Sequence, residues 1–349
     1  MPYKEQRGNR RRRMLAVFAV VAIGGAGGIG IRLAAAAEDP TAAAQATVQT
    51  STEPVHVKPT SEDYIPIQDA TAVAPAPRPG RNASRGTFTS QCGRNADGSH
   101  RNSDNFITSP GVTNAAHHTH DYVGNTSTDG NATDASLAAA GTTCRLGDKS
   151  TYFWPVIRDI TTEGDDADQP GGGADGNLGR IITPSAVSIQ FRGNAQAKVV
   201  PMPRFLRIVT GDAKTITNGP ANSRAHWTCS GTPNRFSATQ YVLCPRGQLV
   251  QRVHDFAGCW NGVDLDSANH RTHVAFADAT TGACPAGFKA IPQLRITLSY
   301  RVPAGDSYAV DSFPEQLRKP STDHDDFENV MSTGLMRMVA TMINRGVRF

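Results

Sequence analysis

Residues 293–300 read QLRITLSY, with Leu294, Ile296 and Leu298 alternating against Gln293, Arg295, Thr297 and Ser299. Side chains along an extended strand point to alternate faces, so this spacing predicts a half-buried β-strand. SAVSIQF at residues 185–191 has the same alternation. Shorter runs at 86–90, 205–210, 248–253 and 273–276 are predicted as strands as well. Glycine, proline, asparagine and aspartate punctuate the intervals, and DADQPGGGADGN at 166–177 is a loop. A helical pattern is found only near the end. Between residues 326 and 347, Phe327, Val330, Met331, Leu335, Met338, Val339 and Met342 fall near 3.6 spacing, with Asn344 and Gly346 as a stop. That face is read as core packing against the sheet. The class expected is mainly β, a β-sandwich or jelly-roll-like single domain with long loops and a C-terminal helix.

The domain occupies only part of the 349 residues. Residues 4–13 are basic, 14–31 are apolar, and Ala34 to Ala37 precede Glu38. This is the three-part pattern of a secretory signal peptide, assigned to residues 1–37. Five glycines in the apolar run weaken a permanent membrane helix, so contact with a membrane is expected only through this segment if it stays uncleaved. Residues 38–85 are dominated by Ala, Thr, Pro, Ser and Gln and read as a disordered linker. Residues 86–349 are left as one secreted domain, expected to be a monomer.

Removing residues 1–37 takes away seven of 35 basic residues and one of 31 acidic ones. The mature chain then carries 28 basic and 30 acidic residues, a net of −2. The basic balance belongs to the export signal and gives no reason to expect nucleic-acid binding. Six cysteines remain, none in a C-x-x-C pair, and an even number in an exported chain implies disulfides. Chain order favours the local pairs Cys92–Cys144, Cys229–Cys244 and Cys259–Cys284.

Chemistry-bearing side chains gather in three segments. Residues 109–125, SPGVTNAAHHTHDYVGN, hold His118 and His120 at i and i+2, which share a face on a strand. Residues 259–276, CWNGVDLDSANHRTHVAF, hold Trp260, Asp264, Asp266, His270 and His273. Residues 321–329, STDHDDFEN, place His324 and Asp326 at the expected entry of the last helix, where Asp326, Ser321 or Thr322 would serve equally as a cap. Imidazole and carboxylate ligate zinc, copper and iron and move protons near neutral pH. Tyr152 and Trp154 in DKSTYFWP, with Trp260, offer aromatic faces for sugar rings, although large aromatics also serve as core; Phe153 is read as core. Nucleophile-elbow, phosphate-loop and H-E-x-x-H patterns are absent from the sequence.

Taken in order, SPGV, HHTHDYVGN, Cys144, DKSTYFWP, CWNGVDLDSANHRTHVAF, Cys284-Pro285 and HDDF resemble the DUF1996 family, an uncharacterised domain of exported proteins in actinobacteria and fungi. The resemblance spans most of residues 88–330. It implies an extracellular domain, joined in some fungal members to WSC-type sugar-binding modules, hence a cell-wall or polysaccharide setting. The family's H-x-H falls on His118 and His120, its D-S-x-x-H-x-x-H on Asp266, Ser267, His270 and His273, and its H-x-D-F on His324, Asp326 and Phe327. Val330 stands where the family often has an aromatic residue.

The expectation is an extracellular protein with a His/Asp-lined cleft acting on cell-wall or other polysaccharide, as a hydrolase or lyase. The alternative is a non-catalytic glycan- or metal-binding envelope module, and a plain structural domain is the third reading. His118, His120, His270, His273, His324 and Asp326 are the catalytic candidates. Asp264, Asp266, Tyr152, Trp154 and Trp260 are the substrate-binding ones. His118, His120 and His270 are the candidate ligands of a divalent metal ion.

Overall fold

Two five-stranded antiparallel sheets face each other in the computed structural model, which describes residues 58–349. The first runs His226–Cys229, Val250–Asp255, Gln293–Tyr300, Ala186–Arg192, Thr87–Ser90. The second runs Arg207–Gly211, His324–Glu328, Thr151–Pro155, His120–Gly124, Arg101–Asn102. Leu294, Ile296, Leu298, Ile189 and Phe191 of the first share one apolar core with Tyr152, Trp154, Ile208 and Phe327 of the second. All six predicted strands are found, with ends within two residues of expectation, and the mainly β sandwich arises from their alternation.

The C-terminal helix is shorter than its apolar pattern suggested. It spans Thr333–Asn344, with the Ser332 hydroxyl accepting the Leu335 N–H as its cap. His324–Glu328 is an inner strand of the second sheet, between Arg207–Gly211 and Thr151–Pro155, so neither His324 nor Asp326 sits at a helix entry. Phe327 contributes to the core from a β position, and counting it as helical puts the later apolar positions out of phase. The buried stripe is Met336, Val339, Ala340 and Ile343, while Met338 is exposed.

Disorder is expected up to residue 85, but ordered structure is found well before it. Tyr64–Pro66 pairs in parallel with Tyr241–Leu243, and Thr71–Ala72 pairs with Arg235–Phe236. Tyr64, Ile67 and Ala70 are buried, and Lys319 binds Asp63 at 2.6 Å. A few apolar side chains within a low-complexity stretch are enough to anchor it, and average composition hides them. Residues 1–57, where the signal peptide and the first part of the linker are expected, lie outside the described residues. Among the described residues, no helix is long and apolar enough to cross a membrane.

Three disulfides join Cys92–Cys144, Cys229–Cys244 and Cys259–Cys284, as chain order suggested. The last holds together the ends of the segment that contains Asp264, Asp266, His270 and His273.

Between the sheets lies a buried charged cluster. Val250–Asp255 turns Arg252 and His254 inward, where Arg252 pairs with Asp323. His254 lies 3.1 Å from Asp323 and 3.2 Å from Asp325. Burial alone would lower the His254 pKa, but Asp323 and Asp325 raise it from 6.5 to about 9. The folded chain therefore keeps a proton that the unfolded chain gives up between those values. The stabilisation is complete below pH 6.5 and is lost as pH rises through 9. We expect the difference in unfolding free energy between wild type and His254→Gln to narrow by roughly 3 kcal/mol between about pH 6 and pH 10. Denaturant titrations at each pH measure this, and a pH-independent difference would contradict the assignment.

Candidate metal centre

The second sheet buries one face in the core and presents the other to a separate layer of loops. On His324–Glu328, Phe327 faces the shared core and Asp325 faces His254. The pleat sends His324, Asp326 and Glu328 to the opposite face. Across the sheet, His324 is level with Gly211 and His120 with Pro155, while Asp326 is level with Phe153 and Phe153 with Tyr122. Phe153, Tyr122, Phe106 and Val330 form a small second core on this side, against which the His120 ring packs edge-on at 5.3 Å.

His118, just before the His120–Gly124 strand, is aimed by its neighbours. The Asn177 side chain donates to the His117 carbonyl at 3.1 Å, and Gly171 at φ +80° lies against the 118 backbone. A side chain at Gly171 would meet Ser103 Cβ at 2.6 Å and the His118 carbonyl carbon at 3.2 Å, so only glycine fits. The glycine-rich loop, whose Asp166 is held by Arg158 at 2.6 and 2.8 Å, thus buttresses the H-x-H segment.

Three imidazoles converge as a result. The Nε2 atoms of His118 and His120 are 3.0 Å apart, those of His118 and His324 3.2 Å, and those of His120 and His324 3.4 Å. All three rings are buried. His120 Nδ1 lies 2.9 Å from the Asp104 carbonyl and His324 Nδ1 2.9 Å from the Thr322 carbonyl. A carbonyl only accepts, so both rings carry their proton on Nδ1 and direct an Nε2 lone pair at the common point. The Ala116 carbonyl is near His118 but makes no bond of normal geometry with its Nδ1.

Protonating the rings does not relieve this crowding of lone pairs. Desolvation first, then neighbouring imidazoles, hold His118 and His120 well below 6.5. Desolvation likewise takes His324 to about 4. The circle through the three nitrogens has a radius of about 1.9 Å, close to a metal–imidazole distance of about 2.0–2.1 Å, so the three residues would suit a divalent ion.

Beside the trio on the same face are buried carboxylates. Asp326 Oδ2 accepts from Asn105 at 3.3 Å, and its Oδ1 has no protein partner. Burial, then the neighbouring Asp325, raise its pKa to about 8. Glu328 is raised to about 7 by burial, with one oxygen bound to Arg207 Nε at 2.8 Å and the other unpartnered. Glu328 and Arg207 are not among the candidates that the sequence suggests. Reading HDDFE as a strand, with His, Asp and Glu at i, i+2 and i+4, would place Glu328 on the same face.

The remaining candidates are distributed differently from expectation. His324, not His270, completes the imidazole trio with His118 and His120. His270 pairs with Asp266 through Nδ1 at 3.0 Å on the loop covering the Arg207–Gly211 edge. His273 is buried with both nitrogens engaged, Nδ1 by Ser267 at 2.9 Å and Nε2 by the Arg207 carbonyl at 2.7 Å, which is a structural position. Asp264 binds Asn261 within an exposed turn. Tyr152 and Trp154 point into the sandwich core, Tyr152 stacked on Phe327, and present no face to a ligand. They occupy alternate positions to Phe153 on one strand, so Phe153, core as expected, underlies the site face. Trp260 is half-buried, with its N–H donated to the Asp264 carbonyl and Lys289 over its ring.

This geometry predicts a distinct mutational pattern for added Zn²⁺. His324→Gln weakens binding by at least about 100-fold, as loss of one of three ligands should, whereas His270→Gln leaves it within about threefold. Calorimetric titration measures both, and equal losses would contradict the assignment.

A family model described as Domain of unknown function (DUF1996) matches residues 106–334. The matched span contains the converging imidazoles, both carboxylates and the Asp266–His270 pair. No curated protein and no solved structure matches the chain. With about two thirds of its length inside the match, the chain belongs to the DUF1996 family.

Proposed function

We propose that this is a metal-dependent extracellular hydrolase of a cell-envelope polysaccharide, with His118, His120 and His324 as the metal ligands. The observation that carries the reading is the convergence of three Nε2 atoms at 3.0–3.4 Å in a buried setting, two of them fixed as lone-pair donors by backbone carbonyls. A divalent ion held there supplies Lewis acidity and a readily ionised water. The unpartnered Asp326 oxygen on the same face would hydrogen-bond that water or a sugar hydroxyl and so set its orientation. Of the substrate-binding candidates, Asp266 lies nearest the site's carboxylates, through Arg207.

Three disulfides fit a chain exported to an oxidising compartment. The polysaccharide comes from the resemblance to exported proteins that carry sugar-binding modules. One observation favours a second reading, a non-catalytic module that binds metal or glycan. The three rings are only 1, 0 and 3% exposed, as in closed structural metal sites.

The test uses the full chain secreted from its host, analysed for metal and then incubated with a panel of wall polysaccharides. We expect about one transition-metal ion per chain and release of reducing ends. Asp326→Asn should lower that release by at least about 100-fold with the metal retained. Metal retained without cleavage of any polymer supports the second reading, and a chain that takes up no metal overturns the metal-dependent hydrolase and leaves only glycan binding of the second reading.

A further inference from the structure

The D-S-x-x-H segment is not part of the imidazole trio, yet it holds one side chain in place on the neighbouring edge of the same sheet. Asp266 Oδ1 accepts the Ser267 N–H at 2.8 Å and faces His270 Nδ1 at 3.0 Å, with Oδ2 at 3.1 Å. A carboxylate accepts, so Nδ1 carries the proton and Nε2 is left with its lone pair. That nitrogen has no protein partner among the described residues, and the His270 side chain is 25% exposed.

His270 also sits at φ +54°, a left-handed conformation uncommon outside glycine, though histidine is among the residues that adopt it more often. Its N–H bonds to the Ser267 carbonyl at 2.8 Å. The Ser267 hydroxyl in turn takes the Arg271 and Thr272 N–H groups, each at 3.2 Å. Three further contacts fasten this turn to the edge strand Arg207–Gly211, next to His324–Glu328. They are Arg207 N–H to the Leu265 carbonyl at 3.0 Å, His273 Nε2 to the Arg207 carbonyl at 2.7 Å, and Arg271 to the Gly211 carbonyl at 2.6 Å. Arg207 lies 3.9 Å from Asp266 and 2.8 Å from Glu328, so the turn overlooks the carboxylate side of the site. This many contacts fix the turn and leave the His270 Nε2 in a set position.

We propose that His270, oriented by Asp266, is the general base of the reaction. This rests on the hydrolytic reading of the metal centre. As water attacks the polymer, its O–H bond breaks and the electron pair stays on oxygen to form the new bond. The proton moves to His270 Nε2, and the imidazolium is stabilised by Asp266. The departing sugar oxygen lies on the opposite face and takes its proton from solvent as its bond to the polymer breaks, and His270 releases its own proton to solvent to return to the neutral form. His117 pairs with Asp175 at 2.8 Å in a similar way, but it adjoins the metal ligand His118 and its side chain is 53% exposed.

His270→Gly accommodates the left-handed backbone and opens a space that free imidazole can fill. On whichever polysaccharide the wild type cleaves, this variant should lose at least about 100-fold in kcat with metal content unchanged, and added imidazole should restore turnover. Activity within about threefold of wild type, or a loss that imidazole does not restore, overturns the base assignment while leaving the metal centre intact. A second measurement decides the matter even where the wild type cleaves no polymer. Diethyl pyrocarbonate acylates unprotonated imidazole nitrogens, and mass spectrometry locates the label. His270 should be labelled readily, more slowly in Asp266→Asn, and with no change at His117. A His270 that resists the reagent, or reacts at the same rate in Asp266→Asn, overturns the proposal.

Discussion

A β-strand has two faces, and His324–Glu328 uses both for buried polar chemistry. One face sends Asp325 toward His254 and Phe327 into the core between the sheets. The other sends His324, Asp326 and Glu328 into the layer that holds the two imidazoles of the H-x-H segment. Because the strand lies between two hydrogen-bonded neighbours, it cannot shift by one residue without exchanging these roles. The buried cluster of Arg252, His254 and Asp323 behind it and the imidazole trio in front are therefore fixed by the same register.

The trio has an electrostatic consequence of its own. Three neutral imidazoles directing lone pairs at one point repel each other, and burial denies them the protonation that would relieve it. The backbone carbonyls of Asp104 and Thr322 hold two of the rings in the tautomer that keeps Nε2 open. Such an arrangement is stable when a cation occupies the shared point, and the nitrogen spacing suits an ion with bonds of about 2 Å. Around it, the glycine-rich loop and the disulfide-closed 259–284 segment hold positions rather than supply ligands.

Much of the architecture is legible because alternation in QLRITLSY and SAVSIQF is a local property. The strands that build the site are harder to read. HDYVG, TYFWP and HDDFE are buried on both faces, so their patterns carry no simple polar–apolar alternation. For that reason HDDFE merges with the helical pattern of the residues after it, and Glu328 does not stand out. The site's histidines are recognisable as a set, but which of them meet is not. His118 and His324 are separated by 206 positions, and only the sheet order brings them together. His270 and His273 lie close together in sequence, yet one faces solvent and the other fills a structural pocket.

X-ray absorption at the metal edge of the zinc-loaded full chain bears most directly on the trio. Three nitrogen neighbours at about 2.0–2.1 Å, with the outer-shell scattering of imidazole rings, should appear in wild type and fall to two in His324→Gln. A spectrum of oxygen neighbours alone, or one that His324→Gln leaves unchanged, would contradict a metal centre built from His118, His120 and His324.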